Sequence, residues 1–158
     1  MINKQAVLDL ILAALTAELE AITRGARASF AAATDPDSKA ENKYDTRTLE
    51  ASYVARGQAQ RVAELDSALH AFRALSGNPW PAGSSIATGA LVTLQTPAGD
   101  SEFYFLGPAA GGTEVRHEAQ EILVITPTSP LGQKLLGKKR GDRIDLRPGH
   151  PAVVAAVR

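Results

Sequence analysis

Residues 125–146 read ITPTSPLGQKLLGKKRGDRIDL, and nearly every junction in this run rests on a firm backbone rule. Ile122 to Ile125 is apolar and rich in β-branching, which suits a strand. Pro127 and Pro130 end the extended segment, because neither can donate to a strand ladder. Ser129 is placed to cap a helix with its hydroxyl, Pro130 suits the first helical position, and Gly137 can take the left-handed conformation that closes the helix. Lys138, Lys139 and Arg140 follow, and Gly141-Asp142 makes a tight turn into a segment carrying Ile144 and Leu146. The run predicts strand, turn, short helix, turn and strand.

Working outward, Leu91 to Thr96 and Glu102 to Leu106 read as two strands joined through Pro97-Ala98-Gly99-Asp100, a hairpin signal. Gly107 to Thr113 reads as a flexible loop, and Arg143 to Leu146 and Ala152 to Val157 supply two more strands. With the helix at Leu131 to Leu136 laid on one face, the C-terminal half is predicted to be a small antiparallel sheet, giving an α+β chain overall.

The character of the chain changes once, at SGNPWPAGSS (Ser76 to Ser85), where Gly, Asn, Pro and Ser crowd together and helical periodicity stops. Before it, Leu8, Ile11, Leu15, Leu19, Ile22, Ala26 and Phe30 recur every three or four positions. Ala55, Val62, Leu65, Leu69 and Phe72 repeat that spacing later. Two helices with narrow apolar stripes are expected to bury them against each other as an antiparallel coiled-coil hairpin. Thr34-Asp35-Pro36-Asp37-Ser38 breaks the pattern. Pro36 stops the first helix, and Ser38 with Glu41 has capping-box spacing. A first helix from roughly Asn3 to Ala33 would be on the order of 45 Å long, more than a compact core needs. The expected organisation is a helical hairpin over 1–76, a linker over 77–88 and a C-terminal domain over 89–158.

Composition narrows the classes. Seventeen basic residues balance seventeen acidic ones, so any contact with nucleic acid must be local. With no cysteine there can be no disulfide, thiolate metal site or Cys nucleophile, which suits a reducing cytoplasm. Asp9 interrupts the apolar start, and neither a signal peptide nor a membrane span is expected. His70, His117 and His150 lack metal-ligand spacing, and Trp80, in the linker, is expected to pin the two domains together.

The Ser129-Pro130-Leu131 turn, the short helix, Leu135-Leu136-Gly137-Lys138 and the Gly141-Asp142 turn closely resemble the C-terminal domain of the Gre-type bacterial transcript-cleavage factors, over about Gly89 to Arg158. In that family the sheet resembles an FKBP-like fold. The stretch Asp37-Ser38-Lys39-Ala40-Glu41-Asn42-Lys43-Tyr44 is similar to the family's Asp-x-Lys-Glu-Asn-x-x-Tyr tip, with Ala40 as one added residue and one fewer before Tyr44. Arg61-Val62-Ala63-Glu64-Leu65 resembles its Arg-Ile-x-Glu-Leu.

The resemblance implies a protein that is not itself an enzyme. It would bind bacterial RNA polymerase through the secondary channel and stimulate the polymerase to cut backtracked RNA, rescuing arrested complexes. Asp37 and Glu41 would be the catalytic acids and would hold a Mg²⁺ shared with the polymerase active site, the isolated protein binding none. Asp35 and Asp45 could add charge. Arg24, Arg27, Lys43, Arg47, Arg56 and Arg61 would neutralise phosphates near the nascent RNA 3′ end, or else form a solvated helix surface. DNA would be met only indirectly, and no membrane is involved. Ser129, Pro130, Leu131, Gly132 and Leu135 resemble the patch that grips the polymerase, with Leu135 better suited to the core. A related reading is a secondary-channel regulator that inhibits without cleavage. A third, from a different class, is a peptidyl-prolyl isomerase, which would need an aromatic-lined pocket that only Phe103, Tyr104 and Phe105 could furnish.

Overall fold

The computed structural model describes the backbone of residues 2–34 and 46–158 and the side chains of residues 2–32 and 54–158. Two long helices, α1 (Lys4–Thr34) and α2 (Thr46–Arg73), precede the strands β1 (Leu91–Gln95), β2 (Ser101–Leu106), β3 (Glu114–His117) and β4 (Gln120–Ile125). The short helix α3 (Pro130–Leu135) and the strands β5 (Arg143–Arg147) and β6 (His150–Val157) complete the order. The chain divides into two compact units, one made of Met1–Ala14 with His70–Arg158, the other of Leu15–Leu69.

In the first unit the six strands form one sheet in the order β3-β4-β2-β1-β6-β5. The sheet is mixed rather than antiparallel throughout, because β2 and β4 run parallel. The residues after Leu106 do not stay a loop as far as β4. Glu114 to His117 forms β3, which turns back through Glu118 and Ala119 to pair antiparallel with β4. That extra hairpin brings β4 alongside β2 in the same direction and leaves β3 on the edge. Glu118 takes a positive φ of 55° in the turn, a strained position for a residue with a Cβ.

Alternation along the strands sorts the side chains to two faces. On one, Val92, Leu94, Leu106, Ile125, Ile144, Ala152 and Val154 pack with Leu135 of α3, and Trp80, Tyr104, Leu123 and Leu131 border them. On the other, Phe105 meets Phe72 of α2, their ring centroids 6.1 Å apart. Val7, Leu8 and Ile11 of α1 are buried in the same unit. Asn3 caps the start of α1, its Oδ1 accepting the Ala6 N–H at 3.0 Å. Lys4 lies 4.7 Å over the Trp80 ring and donates to the Asn78 carbonyl at 3.2 Å. Its burial lowers the ammonium pKa from the usual value. The Trp80 indole N–H donates to the Ser85 carbonyl, so the linker aromatic is held from both sides.

The second unit is an antiparallel helix pair. Gly25 lies beside Gln58 while Glu18, seven residues earlier, meets Arg61, so advance along one helix is retreat along the other. Burial thins along this seam. Leu15, Leu65, Ala68 and Leu69 are buried and Leu19, Ile22, Ala26 and Val62 half-buried, whereas Phe30 is 72% exposed and Val54 55%. Among the described residues no helix is long and apolar enough to cross a membrane.

Candidate functional site

The turn into α3 is built from Ser129. Its hydroxyl donates to the Thr126 carbonyl at 2.7 Å and accepts the Gly132 N–H at 3.1 Å, so one side chain closes the turn and caps the helix. Pro130 occupies the first helical turn, where no N–H is needed, and is exposed. Leu131 is half-buried against the sheet core, and Leu135 is fully buried in it. Gly132 is buried too. A Cβ there would fall 1.8 Å from the Thr126 carbonyl oxygen, well inside any allowed contact. Of the five residues expected to grip a partner, Pro130 presents the open surface, Leu131 and Ser129 are partly covered, Leu135 is fully buried, and Gly132 acts from beneath by letting α3 sit on the Thr126 carbonyl.

Beyond α3 the chain is fastened to the linker. Gly137, with φ 79°, donates its N–H to the Ile86 carbonyl at 2.9 Å, and Ile86 donates to the Lys138 carbonyl at 2.7 Å. The Asp142 carboxylate accepts the Lys139 N–H at 2.8 Å, and Gly141 donates to the Val154 carbonyl. Lys134 Nζ reaches the Asp145 carbonyl at 2.7 Å. The surface around α3 is therefore rigidly mounted before any partner arrives. Replacing Ser129 with Ala should cost about 1 kcal/mol through the lost cap. Urea unfolding followed by Trp80 emission should show a lower midpoint, whereas Ser129→Asp, which can still accept the Gly132 N–H, should recover part of the lost stability.

Asp37, Glu41 and Lys43 lie outside the described residues, as do Asp35, Asp45 and the side chain of Arg47. Arg24, Arg27 and Arg56 are exposed on their helices. Arg61 has a different employment. Its guanidinium donates to one oxygen of Glu18 from Nε at 3.0 Å and from Nη2 at 2.7 Å, and Nη1 reaches Glu64 at 3.4 Å. The hydrogen bond to Glu18 is the largest cause holding its pKa above the usual range. Arg61 thus links the two helices, which spacing alone did not reveal. Among the described residues no group of three His, Asp or Glu side chains could hold a metal ion.

The aromatic run on β2 is divided by the sheet. Phe105 is buried against Phe72, while Tyr104 points to the opposite face and donates its hydroxyl to Glu102 at 2.6 Å. Burial, then Glu102, raises the phenol pKa well above its ordinary value. An open cavity of about 340 Å³ beside Tyr104 is bordered by Glu102, Glu114 and Glu121. Phe103 and Tyr104 line it together with these three acids.

No protein-family model matches the chain, and no curated protein sequence matches it. Among solved structures, it is similar to the transcription factor Gfh1 at 19% identity and a TM-score of 0.39, over 93% of this chain and 92% of the other. It is similar to Thermus aquaticus Gfh1 at 22% identity and a TM-score of 0.40, over 91% of each chain. The prokaryotic transcription elongation factor GreA/GreB from Nitrosomonas europaea aligns with 73% of this chain and 94% of its own, at 17% identity and a TM-score of 0.35. Likeness at this level assigns no activity to the chain.

Proposed function

We propose that the chain is an accessory factor of bacterial RNA polymerase, of Gre type. The hairpin enters the secondary channel, and the sheet unit anchors it at the channel mouth through the face around α3. The reading is carried by the Ser129-Pro130-Leu131 turn: the resemblance drawn from sequence requires a capped short helix closed by Gly137 and followed by a Gly-Asp turn, and Ser129, Gly137 and Gly141 occupy those roles. The antiparallel helices of the other unit supply the carrier, with residues 35–45 connecting them in the chain.

Within this proposal Asp37 and Glu41 are delivered to the polymerase, which performs the hydrolysis, and the factor is not an enzyme. Carboxylates of this kind are suited to hold a Mg²⁺ shared with the polymerase, which would supply an activated water for attack on the RNA phosphodiester. Arg24, Arg27, Lys43, Arg47 and Arg56 would lie toward the nascent RNA 3′ end, DNA being met only through the polymerase. The protein would work in the cytoplasm, without a membrane.

Ala40 favours a second outcome, in which the same binding inhibits the polymerase without cleavage, because it adds one residue between Lys39 and Glu41 relative to the tip pattern that the sequence resembles. A stalled elongation complex distinguishes the two. Wild type should accelerate RNA cleavage, and Asp37→Ala and Glu41→Ala should each lose about 100-fold of that acceleration while still binding. A wild-type protein that binds, gives no cleavage and slows initiation establishes the inhibitor.

A further inference from the structure

The chain is neutral overall, yet its sheet sorts charge by strand. Residues 97–133 carry five acidic side chains and one basic, whereas residues 134–158 carry seven basic and two acidic. In the order β3-β4-β2-β1-β6-β5, the acids Glu102, Glu114 and Glu121 fall on the first three strands. β1 and β6 carry no Asp, Glu, Lys or Arg, whereas Arg143 and Arg147 lie on β5 and Lys138, Lys139 and Arg140 in the turn that leads into it. Lys138, Lys139, Arg140 and Arg143 are all exposed, and among the described residues none forms an ion pair. Both large aliphatic side chains exposed in this unit border the same turn. Leu136, 48% exposed, immediately precedes it, and Val153, 37% exposed, adjoins Val154, whose carbonyl accepts the Gly141 N–H, and pairs in register with Arg143.

We infer that this corner is a docking surface for an acidic protein surface with apolar ground between its carboxylates. The inference rests on the reading of the chain as a polymerase factor and adds a second contact to the Pro130 end of α3. Like charges held together by a rigid turn repel one another and are relieved by an opposite field, which also steers encounter. Protein is favoured over nucleic acid on two grounds. Leu136 and Val153 gain from an apolar partner, which a phosphate backbone does not offer. The patch also lacks any Phe, Tyr or Trp on which a base could stack.

The test uses the full chain and purified bacterial RNA polymerase core enzyme as probe, with association followed at two salt concentrations. The triple variant Lys138→Glu, Lys139→Glu, Arg140→Glu should weaken binding about 10-fold or more, chiefly by slower association, and should flatten the salt dependence. Leu136→Ser should weaken binding several-fold, on the order of a buried aliphatic contact, with salt dependence unchanged. Lys138→Arg with Lys139→Arg should bind as wild type. Wild-type affinity in the first two variants overturns the inference and leaves the functional reading standing, as does loss confined to binding of a 20-nucleotide RNA. No binding by wild type itself overturns both.

Discussion

Phe72→Ala should destabilise the sheet unit by about 4 kcal/mol, among the larger losses a single truncation produces. Phe72 has no exposed surface, and its ring lies against Phe105 and directly over Gly107, where even a Cβ would come within 2.7 Å of it. Removing the ring therefore leaves a void walled by strand backbone, which cannot collapse as a loop could. The cost combines lost transfer energy, the tilted aromatic contact with Phe105 and the cavity. For a chain of this size the melting temperature should fall on the order of 10 °C. Trp80, the single tryptophan, lies in the same unit and reports it directly. Its emission transition should move, and a Phe72→Leu variant should restore roughly half of the shift. An unchanged transition would mean that Phe72 is not the base of this core.

Gly132→Ala should cost about 3 kcal/mol, although the substitution normally favours a helix. The clash is with the backbone oxygen of Thr126, itself held by the Ser129 hydroxyl and the Ser129 N–H. Neither partner can swing aside as a flexible side chain would. Helix α3 must lift, which separates Leu135 from the sheet and breaks the Ser129 cap together. Thermal unfolding by Trp80 emission should show the loss, and under the proposed function polymerase binding should fall with it. Gly57→Ala serves as the control, because a Cβ there meets nothing within 4 Å. It should hold or slightly raise stability, and equal effects at the two glycines would refute the steric account.

These two sites also mark the limit of what residue pattern conveys. Ser129, Pro130, Gly137 and Gly141 were readable because each obeys a local rule about a missing N–H, a hydroxyl cap or a positive φ, and the structure places them as that rule requires. Leu135 was legible as core through its spacing from Leu131. Gly132 was not, since what forbids a larger residue is a carbonyl six positions away. β3 was hidden because four residues, Glu-Val-Arg-His, carry one buried apolar side chain and follow a Gly-Gly pair. The parallel junction of β2 with β4 follows from that missed strand. The helical stripe marked Leu8, Ile11 and Leu15 alike, but periodicity says nothing about what covers a residue. Phe30 continues the pattern and is largely exposed.

A seam sealed tightly by Leu15, Leu65 and Leu69 and loosely beyond Ile22 does not come apart all at once. Backbone amides in the thinly covered turns can trade hydrogen with water through small, independent openings, whereas those beside the leucines must await rupture of the entire helix pair. The two long helices are thus a graded spring, stiff where Glu18 grips Arg61 and yielding further along. Such a gradient lets one stretch deform without transmitting the distortion to the leucines that hold it.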